Sequence, residues 1–426
     1  MNYDVVLANV ELAAAGSGKP CYIGIKDRRI AYIGPDAITG TQTIDGRNHL
    51  AVPGWVNAHT HTAMTLFRSY ADDMVLMDWL QNKIWPMENN LDGRAVYWGS
   101  LLGMAEMIRT GTTCFADMYF FMDETAQAAR DCGIRAVLSR GLTGASVADG
   151  KSRLDENTEL YKKWHGACDD RIRVMFGPHA PYTCSPDFIK SVVERAGSLG
   201  AEIHMHLSET QGEVDDCLKQ YGKTPIALME DLGMFELGTL AAHCVHVTEE
   251  DQAIMAKHHV RVAHNPQSNL KLASGIAPVA SMLEKGLTVG LGTDGASSNN
   301  NLDMLEEVRL AALLAKTESG NPKAVPAAQA LAMGTVQGAK AVGYDDLGQL
   351  AVGQRADIVL YNMDSPHWYP RHDRVSLLVY AASAQDVDTV LVDGRVLLQN
   401  KELTTIDLEK VIFEVNRCIE YVLPKN

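Results

Sequence analysis

From Val52 to Asp294 the chain repeats one rhythm, a short apolar run rich in β-branched residues followed by a longer stretch of helical periodicity. The runs are LAVPGWVNAH, TTCFADMY, IRAVLSRG, IRVMFGPH, AEIHMHLS, GTLAAHCV, VRVAHN and LTVGLGTD. Between them lie segments such as YWGSLLGMAEMIRTG and SPDFIKSVVERAGSLG, which carry apolar residues three and four apart. Alternation of this kind builds a parallel sheet, because parallel strands need a crossover and a helix is the usual one. Eight strands predict a (β/α)8 barrel, whose typical length is about 250 residues; a doubly wound sheet usually needs fewer. The ends read differently. DVVLANV, CYIGIK, RIAYIGP and QTIDG near the start, and RADIVLYNM and DTVLVDGRVLLQ near the end, are short strands joined by turn residues such as Asp27-Arg28 and Asp393-Gly394. We therefore expect an α/β fold in which residues 51–346 form the barrel, and residues 1–50 and 347–426 together form a small β-sandwich domain. An amphipathic helix is expected over Asp407 to Val422.

The charge balance narrows the partners. Of 426 residues, 38 are Lys or Arg and 53 are Asp or Glu, a net charge of −15. Nucleic acid and anionic membrane surfaces both attract clustered cations, so neither is an expected partner. The stretch from Ala324 to Ala339 is uncharged but rich in Ala, Gly and Gln, and it lacks the roughly 20 strongly apolar residues that a spanning helix requires. The start, MNYDVVLANV, has no positively charged leader, and the eight cysteines form no C-x-x-C pair. These features lead us to expect a cytoplasmic protein.

Polar residues fall where each barrel strand ends, the place where barrel enzymes build their sites. His59 and His61 lie two apart, so their side chains share one face of a strand. His204 and His206 repeat that spacing on the fifth run, His243 ends the sixth and Asp294 ends the eighth. Imidazoles and a carboxylate converging from separate strands suit one divalent metal, zinc before iron or manganese. One H-x-H is weak evidence, but the order H-x-H, H-x-H-x-x-E, H, T-D over successive strand ends is not.

The segments VPGWVNAHTHTAM, HMHLSET, AAHCV and GLGTDGASSNN, with the β segments at both ends, resemble the amidohydrolase superfamily over essentially the whole chain. WLQNKIWPMEN, FGPHAPYTCS and the Arg140 segment are similar to its 5'-methylthioadenosine/S-adenosylhomocysteine deaminase-like members. The resemblance implies metal ligands His59, His61, His206 and Asp294, a proton carrier Glu209, and His243 beside the attacking water. Relatives that bridge two metals use a lysine on the fourth strand. Here that strand ends in His179, which argues for a single ion. A bound divalent ion lowers the pKa of its water from about 15.7 towards about 7. Glu209, three residues beyond His206, is placed to pass a proton to a ring nitrogen, and Asp294 to pass one to the departing amine.

The structural alternatives are a helix first-turn acid for Glu209 and a turn cap for Asp294; the neighbouring histidines favour chemistry for both.

The resemblance further implies that Glu88 accepts hydrogen bonds from ribose hydroxyls and that His179 contacts the sugar or purine. Arg140 and Arg153 suit the carboxylate of a homocysteine tail, which a forked guanidinium fits. Met77, Trp79, Leu80 and Trp85 form an apolar loop that suits a thioether substituent. The expected activity is hydrolytic deamination of a small adenine nucleoside, namely 5'-methylthioadenosine, S-adenosylhomocysteine or adenosine. A triazine or guanine amidohydrolase is the alternative on the same barrel, and it would not need Glu88 for a ribose. A non-catalytic metal-binding scaffold would have no use for Glu209. Because Arg153 suits a neighbouring subunit's site as well as its own, a homo-oligomer is expected.

Overall fold

The computed structural model describes residues 2–13 and 19–423. Eight parallel strands close into a barrel: β1 (Trp55–Thr60), β2 (Thr112–Tyr119), β3 (Arg135–Leu142), β4 (Ile172–Pro178), β5 (Ile203–Leu207), β6 (Thr239–His243), β7 (Arg261–His264) and β8 (Thr288–Leu291). Closure comes from Leu291 of β8 against Asn57 of β1. Each predicted run supplies one barrel strand. Nearly every strand residue is buried, as expected where helices cover the outside and side chains fill the inside. The connecting helices start where a side chain can take an orphan N–H: Asp92 accepts from Ala95 ahead of Gly93–Arg109, and Ser185 accepts from Phe188 ahead of Pro186–Leu199.

The first run is shared between two sheets. His49–Pro53 pairs antiparallel with Ile358–Asn362 in the sheet of the chain ends, and only after Gly54 does β1 enter the barrel. The strand Tyr3–Leu12 also serves two layers. Its first half pairs with Cys21–Lys26 and Gly40–Asp45, and its last residues, Glu11 and Leu12, pair with Leu50 and Ala51. The change of partner falls at an irregularity between Leu7 and Val10, where Asn9 has φ 63°. Apolar side chains from both chain ends, including Val5, Ile23, Ile25, Ala51, Ile358 and Leu391, pack into one core, so the second unit is a β-sandwich. The Asp27-Arg28 and Asp393-Gly394 turns both have positive φ at their central residues, the geometry that matches strand twist in a two-residue hairpin.

The last helix spans Leu408–Val422, capped by Asp407. AAQALAMGTVQGAKAVG forms two helices, Ala327–Gly334 and Val336–Ala341. They part at Thr335, whose hydroxyl donates back to the Leu331 carbonyl. Among the described residues no helix is long and apolar enough to cross a membrane.

Candidate active site

The strand ends aim five predicted side chains at one point. His59 ends β1 with His61 just beyond it, His206 lies on β5, His243 ends β6, and Asp294 follows β8. Two of these, His243 (φ 72°) and Asp294 (φ 59°), and also Ser208 (φ 52°) after β5, hold the left-handed backbone that non-glycine residues rarely adopt. Such turns bend the chain away as soon as the strand ends while leaving the side chain over the barrel mouth, and strain of this kind concentrates at functional sites. His61 Nε2 lies 3.2 Å from Asp294 Oδ1 and 3.3 Å from His206 Nε2, and His59 Nε2 lies 3.5 Å from Asp294 Oδ1. His59, His206 and His243 form one cluster with ligand atoms within 4.8 Å of one another, and His59, His61 and Asp294 form a second.

The outer nitrogens decide what this cluster can hold. His61 Nδ1 donates to the Met118 carbonyl, His206 Nδ1 to the His179 carbonyl and His243 Nδ1 to Asn269 Oδ1, at 2.6, 2.8 and 2.8 Å. His59 Nδ1 lies 2.9 Å from His204 Nε2. With each Nδ1 engaged, each Nε2 faces the centre, the orientation a metal ligand requires. His59 Nε2 is buried with no hydrogen-bond partner. Burial holds His59 down to about 4 and His206 well below the usual imidazole range, so both favour the neutral form. Asp294 is ionised: burial opposes its charge, but His59 and His61 hold its carboxyl well below the usual range. Its Oδ2 accepts from the hydroxyls of Ser268 (2.7 Å) and Ser298 (3.0 Å), which turns Oδ1 towards the histidines. Burial lowers His61, but the Asp294 carboxylate outweighs it and pushes the ring up to about 9; converging Nε2 atoms and one carboxylate fit a divalent transition-metal ion, which would take the place of that proton.

Glu209 is buried beside this centre. Its Oε2 is 3.7 Å from His243 Nε2, and its Oε1 is 3.5 Å from the Ser274 hydroxyl. Burial raises its carboxyl above the ordinary value.

The pocket above the cluster is walled by Leu76, Trp79, Leu80, Ile84 and Trp85 from the first excursion and by Phe120, His179 and Tyr182 from later ones. Met77 is 40% exposed and does not line it, unlike Trp79, Leu80 and Trp85. Glu88 lines the pocket, and burial pushes its carboxyl up to about 7. His179 lines the pocket, and its Nδ1 is 3.0 Å from the Thr183 hydroxyl.

Arg140 and Arg153 are not at the metal cluster. They line a second chamber that shares Trp85, Glu88, Phe120, Thr143 and Thr183 with the first. There Arg140 Nε donates to Glu156 (2.8 Å), and Arg153 Nη1 donates to the carbonyls of Thr143 and Asp149.

Sequence reasoning passed over the residues that hold the site from outside, Ser268 and Asn269 above all. The available signal was the polar run HNPQSN directly after β7, a strand-end position like the others.

A (β/α)8 barrel with a β-sandwich from its chain ends, and imidazoles and a carboxylate gathered at the strand ends, defines a class of barrel hydrolases that work through a divalent metal. Within that class the chain belongs to the amidohydrolase family, whose model matches residues 50–397. It is 54% identical over 374 residues to a 5-methylthioadenosine/S-adenosylhomocysteine deaminase of Dictyoglomus thermophilum, covering 88% of each chain. Among solved structures it is similar to an adenosine deaminase from Xanthomonas campestris with bound zinc, at 32% identity and a TM-score of 0.93 over 99% of both chains. It also shares its fold with an atrazine chlorohydrolase from Arthrobacter aurescens, at 24% identity and a TM-score of 0.89 over 97% of this chain and 100% of that one.

Proposed function

We propose that the protein hydrolyses the 6-amino group of adenine nucleosides, converting 5'-methylthioadenosine and S-adenosylhomocysteine, and adenosine as a further substrate, to the inosyl products and ammonia. The observation that carries this reading is one pocket in which, besides Asp294, two glutamates have different duties. Glu209 Oε2 lies 3.7 Å from His243 Nε2 beside the ligand cluster, and Glu88 lines the same pocket with its carboxyl pushed up to about 7 by burial. The name of the Dictyoglomus relative supports the choice of nucleosides.

His59, His61, His206 and Asp294 would hold one divalent ion, which we take to be zinc, as in the Xanthomonas relative. When bound, it supplies the Lewis acidity that makes water a nucleophile at neutral pH. Glu209 takes the proton of the attacking water and delivers it to the ring nitrogen next to C6, so that the carbon becomes electrophilic. A C–O bond forms at C6 as the ring C6–N1 double bond gives its electron pair to the protonated nitrogen, and His243 Nε2 steadies the oxygen as charge develops on it. Asp294 relays the second proton to the amine, which leaves as ammonia. Glu88 accepts the two ribose hydroxyls, as only an ionised carboxylate can, and His179 contacts the purine or sugar. In the outer chamber, Arg140 and Arg153 receive the carboxylate of a homocysteine tail. A cytoplasmic setting and a homo-oligomeric state belong to the same reading; the eight free cysteines support the former.

An ultraviolet and ammonia-release screen tests the substrate class. Methylthioadenosine and S-adenosylhomocysteine should turn over, while guanine and chlorotriazines should not; activity confined to guanine or a triazine would sink the reading. Glu209→Gln should keep its metal and lose most turnover, by about 100-fold or more. Near-normal turnover in that variant would remove Glu209 from the mechanism.

A further inference from the structure

We infer that Glu213, which has no place in the chemistry above, is a positioning residue that sets where the Glu209 carboxylate points. This inference rests on the reading of Glu209 as proton carrier. β5 ends at Leu207, and the chain turns at Ser208 through a left-handed backbone. The carbonyls at this turn are used by the neighbouring strand end: Leu207 O accepts from Cys244 N at 3.0 Å, and Ser208 O accepts from His246 N at 2.9 Å. The N–H groups of Ser208 and Glu209 point the other way, into a buried region with no strand to receive them. Glu213 receives both, with Oε1 at 2.8 Å from Ser208 N and Oε2 at 2.8 Å from Glu209 N.

Each carboxylate oxygen therefore binds one of two consecutive backbone donors, a bidentate grip on the residue that carries the proton. The grip is anchored from behind. Glu213 is buried in the first turn of the helix Gln211–Tyr221, where its own N–H donates to the Thr210 hydroxyl. An acid in a helix's first turn usually serves its own N-cap residue or the helix dipole; this one reaches past the N-cap to the strand end. A left-handed Ser208 costs backbone energy and persists only where its surroundings over-determine it. The paired acceptor supplies that determination, and through it Glu209 stays within reach of His243 Nε2 and of the substrate ring.

Glutamine is the discriminating replacement. It keeps the shape of Glu213, but its amide offers one acceptor oxygen and turns an NH2 group towards the other backbone N–H. The metal-loaded Glu213→Gln enzyme should therefore lose kcat on methylthioadenosine by about 10–100-fold, with KM within about threefold of wild type. Metal content per chain and the thermal unfolding midpoint should stay unchanged. A C6-hydrated purine ribonucleoside, which mimics the tetrahedral stage, should lose affinity by the same factor as kcat/KM, while the inosyl product should not. Glu213→Asp keeps both acceptors one methylene short and should fall between wild type and Glu213→Gln; it is read by the same measurements if the glutamine variant does not fold. Turnover within twofold of wild type in both variants, with Glu209→Gln inactive, would overturn the positioning role and leave the proton carrier standing. Loss of metal and of the unfolding midpoint in step with kcat would also overturn it, since Glu213 would then only support the fold. Retained activity in Glu209→Gln would instead bring down the reading on which the inference stands.

Discussion

At the scale of the residue, burial alone gives Glu88 a function that a surface glutamate would lack. Its carboxyl titrates near 7 because the apolar excursion around Trp85 removes it from water. The ionised form can accept both ribose hydroxyls, whereas the protonated form must spend one oxygen as a donor. Nucleoside binding should therefore strengthen as pH rises through 7. The ionised fraction grows from about a tenth at pH 6 to about nine tenths at pH 8, so KM for methylthioadenosine should fall about tenfold across that window. The sign follows from which form binds: substrate stabilises the carboxylate, so protons compete with it. Glu88→Gln should raise KM and flatten this dependence, and 2',3'-dideoxyadenosine, which lacks the hydroxyls, should show no such slope with the wild type. Steady-state kinetics over pH 5.5 to 8.5 measures both. A KM that is flat with pH in the wild type would remove Glu88 from ribose recognition.

At the scale of the element, the strands were legible because burial on both faces writes them as apolar runs, and the H-x-H pairs were legible because a period of two fixes which face they share. The helix starts and loops behind the site carry no such period. Ser268 and Asn269 act from a short helix through hydrogen bonds that cross to neighbouring strand ends, and Glu213 reaches back to the backbone of its own strand end; one sequence shows neither the crossing nor the reach of a side chain. The same limit hid the break in LAVPGWVNAH, which reads as one strand but changes sheets at Gly54. There the Gly54 N–H donates to the Asp357 carbonyl at 3.0 Å, and a Cβ would meet Thr113 Oγ1 at 2.1 Å and Cγ2 at 2.3 Å. A β-branched side chain on a barrel strand has little room to move aside. Gly54→Ala should accordingly destabilise the protein by about 1–3 kcal/mol, seen as a lower urea midpoint with an unchanged slope. Thr113→Ala in the same chain should recover part of that loss. Equal stability of Gly54→Ala and wild type would show that the crossing is not tightly packed.

At the scale of the whole molecule, the barrel is tied to the β-sandwich by charges at the end opposite the active site. Arg135, the first residue of β3, is fully buried and donates to both oxygens of Asp357, at 3.0 and 3.1 Å, and to Asp393 at 2.6 Å. Both aspartates come from the C-terminal part of the sandwich, Asp357 just before the strand Ile358–Asn362 and Asp393 in the turn after Val387–Val392, and the Asp393 N–H in turn donates to Asp357. Tyr344 lies against the same guanidinium, 5.1 Å from ring centre to Cζ. Removing the arginine leaves Asp357 without a cation in a buried joint and Asp393 with only the longer contact to Arg355, at 3.5 Å, so Arg135→Met should cost about 3–5 kcal/mol of stability. The loss should depend on pH in a definite direction. Burial already raises the Asp357 carboxyl above its ordinary value, and without Arg135 only the Asp393 N–H is left to oppose that rise. A carboxyl whose pKa is higher folded than unfolded takes up a proton on folding, and its stabilising contribution is lost as pH rises through the raised value. The deficit of Arg135→Met should therefore be smaller at pH 5 than at pH 8. Because Arg135 lies at the start of its strand and the ligand cluster at the strand ends, kcat measured well below the unfolding midpoint should stay within about twofold of wild type. Urea unfolding at the two pH values, with activity measured in parallel, separates the joint from the site. A deficit that is the same at both pH values, or one accompanied by loss of kcat in the folded enzyme, would mean that the two ends of the barrel are not independent.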